Sequence, residues 1–244
     1  TMSVVGGIIG AGIFVSPAVV AQRVGSGGLT LAVWALGGLV ALAGAFCFAE
    51  LGARLPRAGG GYVYLRDAFG RLPAFLYGWT LLLVTQSGGM AAVAVTFARY
   101  AKVLTGWQVG DGAIAATALA ALTAINCLGV RQGSFVQSVL MVLKIGAIAA
   151  LVFCGAMFAP VAGAPAAGAA PLDGLTAFGA AMVPVLFAYG GWQTASFVSA
   201  EIKDPTRTLP RALLFGVSGV ILLYVAVSGV CLRVLGAPGL AATA

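Results

Sequence analysis

Of the chain's 244 residues, 61% are hydrophobic and only 8% are charged; its mean hydropathy is +1.07 and its net charge is +7. These values lie outside the range of ordinary soluble domains and predict an integral membrane protein. No metal, cofactor or thiol redox site is expected, because the chain has no histidine and its four cysteines are scattered one per apolar run. Nucleic-acid binding is not expected either, because it requires an exposed basic surface.

Seven apolar windows are candidate membrane spans, since a helix needs about 20 apolar residues to cross the hydrocarbon core. Helix is predicted throughout, because a membrane barrel strand would alternate polar and apolar residues. The windows cover residues 2–21, 29–49, 72–98, 113–130, 133–159, 175–200 and 212–232. The sequence thus predicts an all-α membrane protein with a single transmembrane domain.

The basic residues predict the orientation, because cytoplasmic loops retain Lys and Arg. With a cytoplasmic N-terminus in the inner cell membrane, eight basic residues lie inside and four outside: Arg54, Arg57, Arg66, Arg71, Arg131, Lys203, Arg207 and Arg211 against Arg23, Arg99, Lys102 and Arg233. The chain starts at Thr1 within an apolar run, and we expect the seventh helix to end near Leu235. We therefore expect the protein to continue beyond both ends.

The first span carries four glycines within about two helical turns, at Gly6, Gly7, Gly10 and Gly12. Each internal glycine costs up to about 1 kcal/mol of helix propensity and lets the backbone leave helical dihedrals. Close helix packing through small residues explains the same pattern equally well. This span alone leaves both interpretations open.

The sixth span favours the interpretation that the helices are interrupted. Its middle reads Phe187-Ala-Tyr-Gly-Gly-Trp192, an adjacent glycine pair between aromatic residues, with Pro184 ahead of it. Non-helical backbone at membrane depth is tolerated only where it is buried in protein or lines a wet cavity. Two broken helices in corresponding positions are the best sequence indication of a transporter binding site.

Two facing breaks suit a zwitterion. A half-helix that starts inside the membrane presents unpaired N–H groups and a positive dipole end, which attract an anion. The carbonyls where another half-helix ends can accept hydrogen bonds from an ammonium group. An α-amino acid carries both groups and is the predicted substrate.

Lys144 is the one charged residue in the body of the fifth span. An ionisable residue inside a membrane is a functional candidate by default, although its side chain could also reach toward the interface. Gly88 and Gly89 in the third span are candidate walls of the substrate pocket.

Charged residues near the predicted cytoplasmic surface have two interpretations. They are either solvated anchors or ion pairs that hold one conformation of a carrier; the gate candidates are Glu50, Arg54, Arg57 and Glu201. In the basic loop after the second span we expect Tyr62 and Tyr64 to lie at headgroup level, with the arginines against anionic lipid.

Three motifs resemble the amino acid, polyamine and organocation (APC) superfamily, in its bacterial amino-acid permease branch. They are Gly10-Ala-Gly-Ile-Phe14, the stretch Ala49-Glu-Leu-Gly-Ala-Arg-Leu-Pro-Arg-Ala-Gly-Gly-Gly-Tyr-Val-Tyr64, and Phe187-Ala-Tyr-Gly-Gly-Trp192 with 201–210 behind it. The resemblance implies a fold of two inverted five-helix repeats, here truncated to about seven helices. Residues 1–159 would form the first repeat and 174–235 the first two helices of the second.

The same resemblance implies residue roles. The amides around Gly10, Ala11 and Gly12 would receive the substrate carboxylate, and the carbonyls of Ile9, Phe187, Ala188 and Gly190 its amino group. Tyr189 and Gly191 complete the candidate substrate-binding set, and Phe187 would act as a gate. Lys144 matches a lysine of sodium-independent members, which implies a carried proton or a fixed cationic brace.

The predicted function is therefore a secondary carrier for small or neutral L-amino acids that works by alternating access, with protons as a candidate co-substrate. A cationic amino-acid or polyamine antiporter of the same superfamily is the alternative, disfavoured by the lack of intramembrane acids. A channel would need rings of polar residues along its path, and an enzyme a nucleophile, base or metal at depth. The spans contain neither pattern.

Overall fold

The structure, a computed structural model, describes residues 2–55, 57–158, 174–197 and 204–243. Within these ranges it is helical, without a strand. Its helices in chain order are α1 (Met2–Ile8), α2 (Gly12–Val24), α3 (Gly27–Arg54), α4 (Gly61–Phe69), α5 (Arg71–Thr80), α6 (Ser87–Thr105), α7 (Asp111–Cys127), α8 (Val130–Met157), α9 (Gly174–Tyr189) and α10 (Pro205–Ala241). A π-helical segment (Leu81–Gln86) joins α5 to α6, and a 3-10 helix (Trp192–Ser196) follows α9.

Five of the helical segments are long and apolar enough to cross a membrane: Gly27–Arg54, Arg71–Thr105, Phe135–Met157, Gly174–Thr194 and Arg207–Ala241. The shorter apolar helices Gly12–Val24 and Asp111–Cys127 fall on the first and fourth predicted windows. Each predicted window thus overlaps helix in the described ranges. The prediction of an all-α multi-pass membrane protein is confirmed, while the division into repeats at 1–159 and 174–235 stays a prediction.

The chain divides into two compact units. The first consists of Thr1–Asp67 with Ile148–Ala244, and the second of Ala68–Ala147. Helix α8 therefore contributes its first part to the second unit and its last turns to the first unit.

In the second unit, α6 and α7 pack through the small side chains of Ala94, Ala98 and Ala115 with Ile114. The turn between them begins at Gly106, a left-handed residue (φ 71°) whose N–H donates to the carbonyl of Lys102. Across this turn Asp111 lies 2.8 Å from the ammonium of Lys102 and 3.5 Å from the guanidinium of Arg99. These ion pairs close the end of the hairpin.

In the first unit, α3 runs between α9 and α10, because two adjacent glycines let both helices approach. A Cβ on Gly37 would overlap Val185 of α9, and one on Gly38 would lie 2.8 Å from Ile221 of α10. Small residues at such contacts are how membrane helices achieve close packing. Buried side chains of this unit therefore meet where α3 packs against α9 and α10.

The loop after α3 folds back onto the 3-10 helix. The N–H of Gly59 donates to the carbonyl of Phe197 at 3.2 Å, and Arg57 pairs with Asp67 at 3.1 Å. Tyr64 is 7% exposed and packs edge-on against Phe48, so its ring faces protein, whereas its level in the membrane stays a prediction. Its neighbour Tyr62 is exposed.

The expectation that the seventh helix ends near Leu235 agrees with a break in the helical backbone directly after it. At Gly236 the backbone leaves helical values (φ 68°, ψ 170°), and a short helical segment then continues to Ala241. Leu240 in this segment packs against Ala18 and Ala21 of α2. This apolar contact holds the short segment after the kink against α2.

Candidate functional site

The first helix is interrupted, as the glycines indicated. Helix α1 ends at Ile8, where the N–H of Ile9 makes a last helical bond to the carbonyl of Val5 at 3.0 Å. Helix α2 begins at Gly12, preceded by Ala11, whose side chain offers no hydrogen bond to the helix N-terminus. Three residues, Ile9 to Ala11, separate the two half-helices.

The sixth helix is interrupted at its glycine pair. Helix α9 ends at Tyr189, and the N–H of Gly190 donates to the carbonyl of Phe187 at 3.1 Å. Gly191 then adopts φ 104°. Its N–H is received by the side-chain oxygen of Gln193 at 3.0 Å, and its carbonyl accepts the hydroxyl of Thr194 at 2.6 Å. The side chains of Gln193 and Thr194 thus provide hydrogen-bond partners for the backbone of Gly191 at the start of the 3-10 helix.

The two breaks face each other. Helices α2 and α9 run antiparallel, because Gly12 meets Ala188 whereas Ser16, one turn further on, meets Pro184: a Cβ on Gly12 would lie 2.9 Å from Ala188, and the Ser16 hydroxyl lies 3.4 Å from the Pro184 carbonyl. On the other side of the breaks, α1 contacts the 3-10 helix through Gly7. Both interruptions therefore lie at the same level of the first unit.

Gly191 is the closest point between the breaks. A Cβ there would overlap the carbonyl oxygen of Gly7, and its φ lies in the left-handed region that side chains disfavour. The glycine pair thus both interrupts α9 and lets the backbone of α1 pass beside it.

Tyr224 of α10 connects the breaks. Its hydroxyl lies 3.1 Å from the carbonyl oxygen of Ile8, the last residue of α1, and 3.3 Å from that of Ala188 in the last turn of α9, so the two carbonyls share its single O–H hydrogen. A single side chain thus partners backbone groups that both interruptions leave without helical partners.

Tyr224 belongs to a buried aromatic cluster that the sequence prediction missed. Trp34 packs edge-on against Tyr189 and Tyr224, with ring centroids 5.7 and 5.6 Å apart. The Tyr189 hydroxyl donates to the Trp34 carbonyl at 3.1 Å. The available signal was a hydroxyl inside the otherwise aliphatic run Val220 to Val225, which needs a hydrogen-bond partner at that depth.

The remaining candidates are dispersed. Phe187 is 67% exposed on α9, and Lys144 is half-buried on α8 in the second unit. A Cβ on Gly88 or Gly89 would meet no described atom within 4 Å.

Of the gate candidates, Glu50 pairs with Arg54 at 2.7 Å across one turn of α3, and Arg57 pairs with Asp67 instead. Both pairs are exposed. Glu201 lies outside the described residues.

A multi-pass helical membrane protein with two facing broken helices has the architecture of a secondary transporter. The amino acid permease family matches residues 1–244, and the chain belongs to this family. It is 35% identical over 238 residues to the b(0,+)-type amino acid transporter 1 of Mus musculus. The matched region covers 91% of this chain and 47% of that relative. It is 36% identical over 235 residues to the large neutral amino acids transporter small subunit 2 of Homo sapiens, with 91% and 44% covered.

These relatives are named as transporters, in agreement with the APC resemblance of the three motifs. The chain spans about half the length of the relatives it matches.

Proposed function

We propose that the protein is a secondary active transporter that moves small or neutral L-amino acids across the inner cell membrane, and not an enzyme. The observation that carries the proposal is the facing of two half-helix ends of opposite polarity at Ile9–Ala11 and Gly190–Gly191. An α-amino acid presents a carboxylate and an ammonium group a few ångströms apart, so it complements such a pair.

The carboxylate would bind at the N-terminus of α2. The first amides of a helix lack helical partners, and the dipole end there carries a partial positive charge. No side chain caps α2, since Ala11 has no polar side-chain atom. Gly10, Ala11 and Gly12 leave the backbone accessible, because none has a side chain larger than a methyl group.

The ammonium group would bind carbonyls at the ends of α1 and α9, which are those of Ile9, Phe187, Ala188 and Gly190. The Phe187 carbonyl accepts one bond from Gly190, and the Ala188 carbonyl one from Tyr224. A carbonyl oxygen has two lone pairs, so each of these bonds leaves one for a ligand. Tyr189 and Gly191 hold this end of α9 in place, and the exposed ring of Phe187 would close over the substrate as a gate.

The preference for neutral substrates rests on the absence of carboxylates from the two breaks. Residues 9–12 and 187–191 contain no acidic side chain, so nothing within them would neutralise a cationic substrate. The backbone groups would contact only the carboxylate and ammonium groups, which all α-amino acids share. Side-chain selectivity would therefore depend on groups other than these backbone atoms.

Transport would proceed by alternating access with a cytoplasmic N-terminus, in a fold of inverted repeats. The charge bias of the loops supports that orientation. The exposed pairs Glu50–Arg54 and Arg57–Asp67, with Glu201, are candidates for contacts that differ between the inward-open and outward-open states.

Uptake by the full-length protein in proteoliposomes tests the proposal. We expect saturable uptake of labelled L-alanine, accelerated by unlabelled L-alanine inside the vesicles, unchanged when choline replaces sodium, and inhibited by neutral amino acids. Uptake that rises linearly with concentration without counterflow would indicate a pore. Inhibition mainly by L-arginine or putrescine would replace the proposed substrate class by the cationic one.

Lys144 is proposed to carry a transported proton or to act as a fixed cationic brace in sodium-independent transport. Its position in the body of an apolar helix supports a functional role. Lys144→Ala should lower uptake and, if the lysine carries a proton, flatten its pH dependence. Unchanged uptake at every pH would contradict both versions.

A further inference from the structure

Pro184 leaves one carbonyl of α9 without its helical donor. In an α-helix the N–H of each residue binds the carbonyl four positions earlier, and proline has no N–H. The carbonyl affected is that of Ala180. An unpaired carbonyl at membrane depth costs free energy, so a substitute donor is expected there.

Arg23 supplies that donor. The Nη1 atom of its guanidinium hydrogen-bonds to the carbonyl oxygen of Ala180. Arg23 lies in the last turn of α2 and is half-buried. Among the described residues Arg23 makes no ion pair. Its charge-assisted contact in this part of the chain is the hydrogen bond from its guanidinium to the Ala180 carbonyl of α9.

Ser16 makes a second polar contact between a side chain of α2 and a backbone carbonyl of α9. Its buried hydroxyl lies 3.4 Å from the carbonyl of Pro184 itself. Ser16 and Arg23 are seven residues apart, which places them on one face of α2 two turns apart. Both polar side chains of this face therefore reach carbonyls around the proline of α9.

We propose that Arg23 is a positioning residue that holds α2 to α9 through the carbonyl that Pro184 releases, so that both half-helices move as one body. The inference rests on the transport function proposed above. Gly12 and Ala188, beside the two breaks, lie at one end of this helix pair, and Arg23 and Ala180 lie toward the other, about 16 Å along α2. Contacts at both ends fix the angle between the helices and hence the spacing between the amides and carbonyls that receive the substrate.

A double-mutant cycle on the full-length protein tests the inference. Arg23→Met keeps the length of the side chain but removes the donor, and Pro184→Ala restores an N–H that satisfies Ala180 from within the helix. We expect each variant to raise the KM for labelled L-alanine about 2- to 10-fold, the range of one lost hydrogen bond. The KM of the double variant should not exceed the higher of the two single-variant KM values, because both changes remove the same contact. Arg23→Lys should recover part of the loss.

The alternatives give different results. If Arg23 only stabilises the fold, Arg23→Met lowers the melting temperature and the amount of inserted protein but leaves KM unchanged, which overturns the proposal. If the increases in KM of the two single variants multiply in the double variant, the proposal is also overturned. Absence of uptake by the wild-type protein would contradict the transport function instead; additive shifts of the melting temperature in the same cycle would then reject the contact itself.

Discussion

The two helix breaks differ in how the chain enforces them. At the first break Ala11 keeps nearly helical dihedrals (φ −66°, ψ −19°), and a Cβ on Gly10 would find its nearest neighbour 3.9 Å away. At the second break Gly191 adopts φ 104° and lies directly against the carbonyl of Gly7. The first break has room around it, whereas the second is fixed by backbone contact.

This difference separates two uses of glycine in the same site. Gly191 is required by the folded structure itself, because the backbone of α1 occupies the place of a side chain. Gly10 is not required by any described contact, so its lack of a side chain leaves space at the end of α2 that receives the proposed carboxylate. Stability measurements should therefore respond at the second break, and substrate affinity at the first.

The largest effect is expected for Gly191→Ala. The added methyl group would overlap the Gly7 carbonyl, and neither backbone can rotate away as a side chain could. We expect a loss of uptake and a clear fall in the melting temperature in detergent, since left-handed strain alone costs about 1 kcal/mol or more.

Gly70→Ala is the matched control for Gly191→Ala. Gly70 also has a positive φ (91°), but a Cβ there would meet no described atom within 4 Å. It therefore reports the strain without the overlap. Equal losses of stability in both variants would show that the contact with Gly7 is not what requires glycine at 191.

A smaller effect is expected for Tyr224→Phe. The substitution keeps the ring in the cluster with Trp34 but removes the hydroxyl that donates to the carbonyls of Ile8 and Ala188. A buried carbonyl that loses its donor destabilises by about 1–3 kcal/mol. We expect a lower melting temperature, whereas Tyr100→Phe, at an exposed tyrosine, should change little. Equal stability of both variants would contradict the bridging role of Tyr224.

The sequence predicted the membrane helices and both breaks, because apolar length and glycine pairs act locally along the chain. It could not predict Tyr224, since the hydroxyl gains its meaning from Ile8 and Ala188, which are distant in sequence. The packing of Tyr64 could not be predicted for a related reason. A tyrosine facing lipid headgroups and a tyrosine packed on Phe48 have the same local sequence, and only the contact of the Tyr64 ring with α3 distinguishes them.

Gly10→Ala should give the smallest change in stability and thereby sharpen the contrast between the breaks. A methyl group at this position meets nothing closer than the Ile8 carbonyl at 3.9 Å, so the melting temperature should stay near that of the wild type. The KM for L-alanine should nevertheless rise, because the methyl group would enter the space assigned to the substrate carboxylate. Gly12→Ala is the comparison, since its Cβ would lie 2.9 Å from Ala188 and should lower stability. If Gly10→Ala leaves KM unchanged, the carboxylate does not bind beside Gly10, and the open space at the first break has another use.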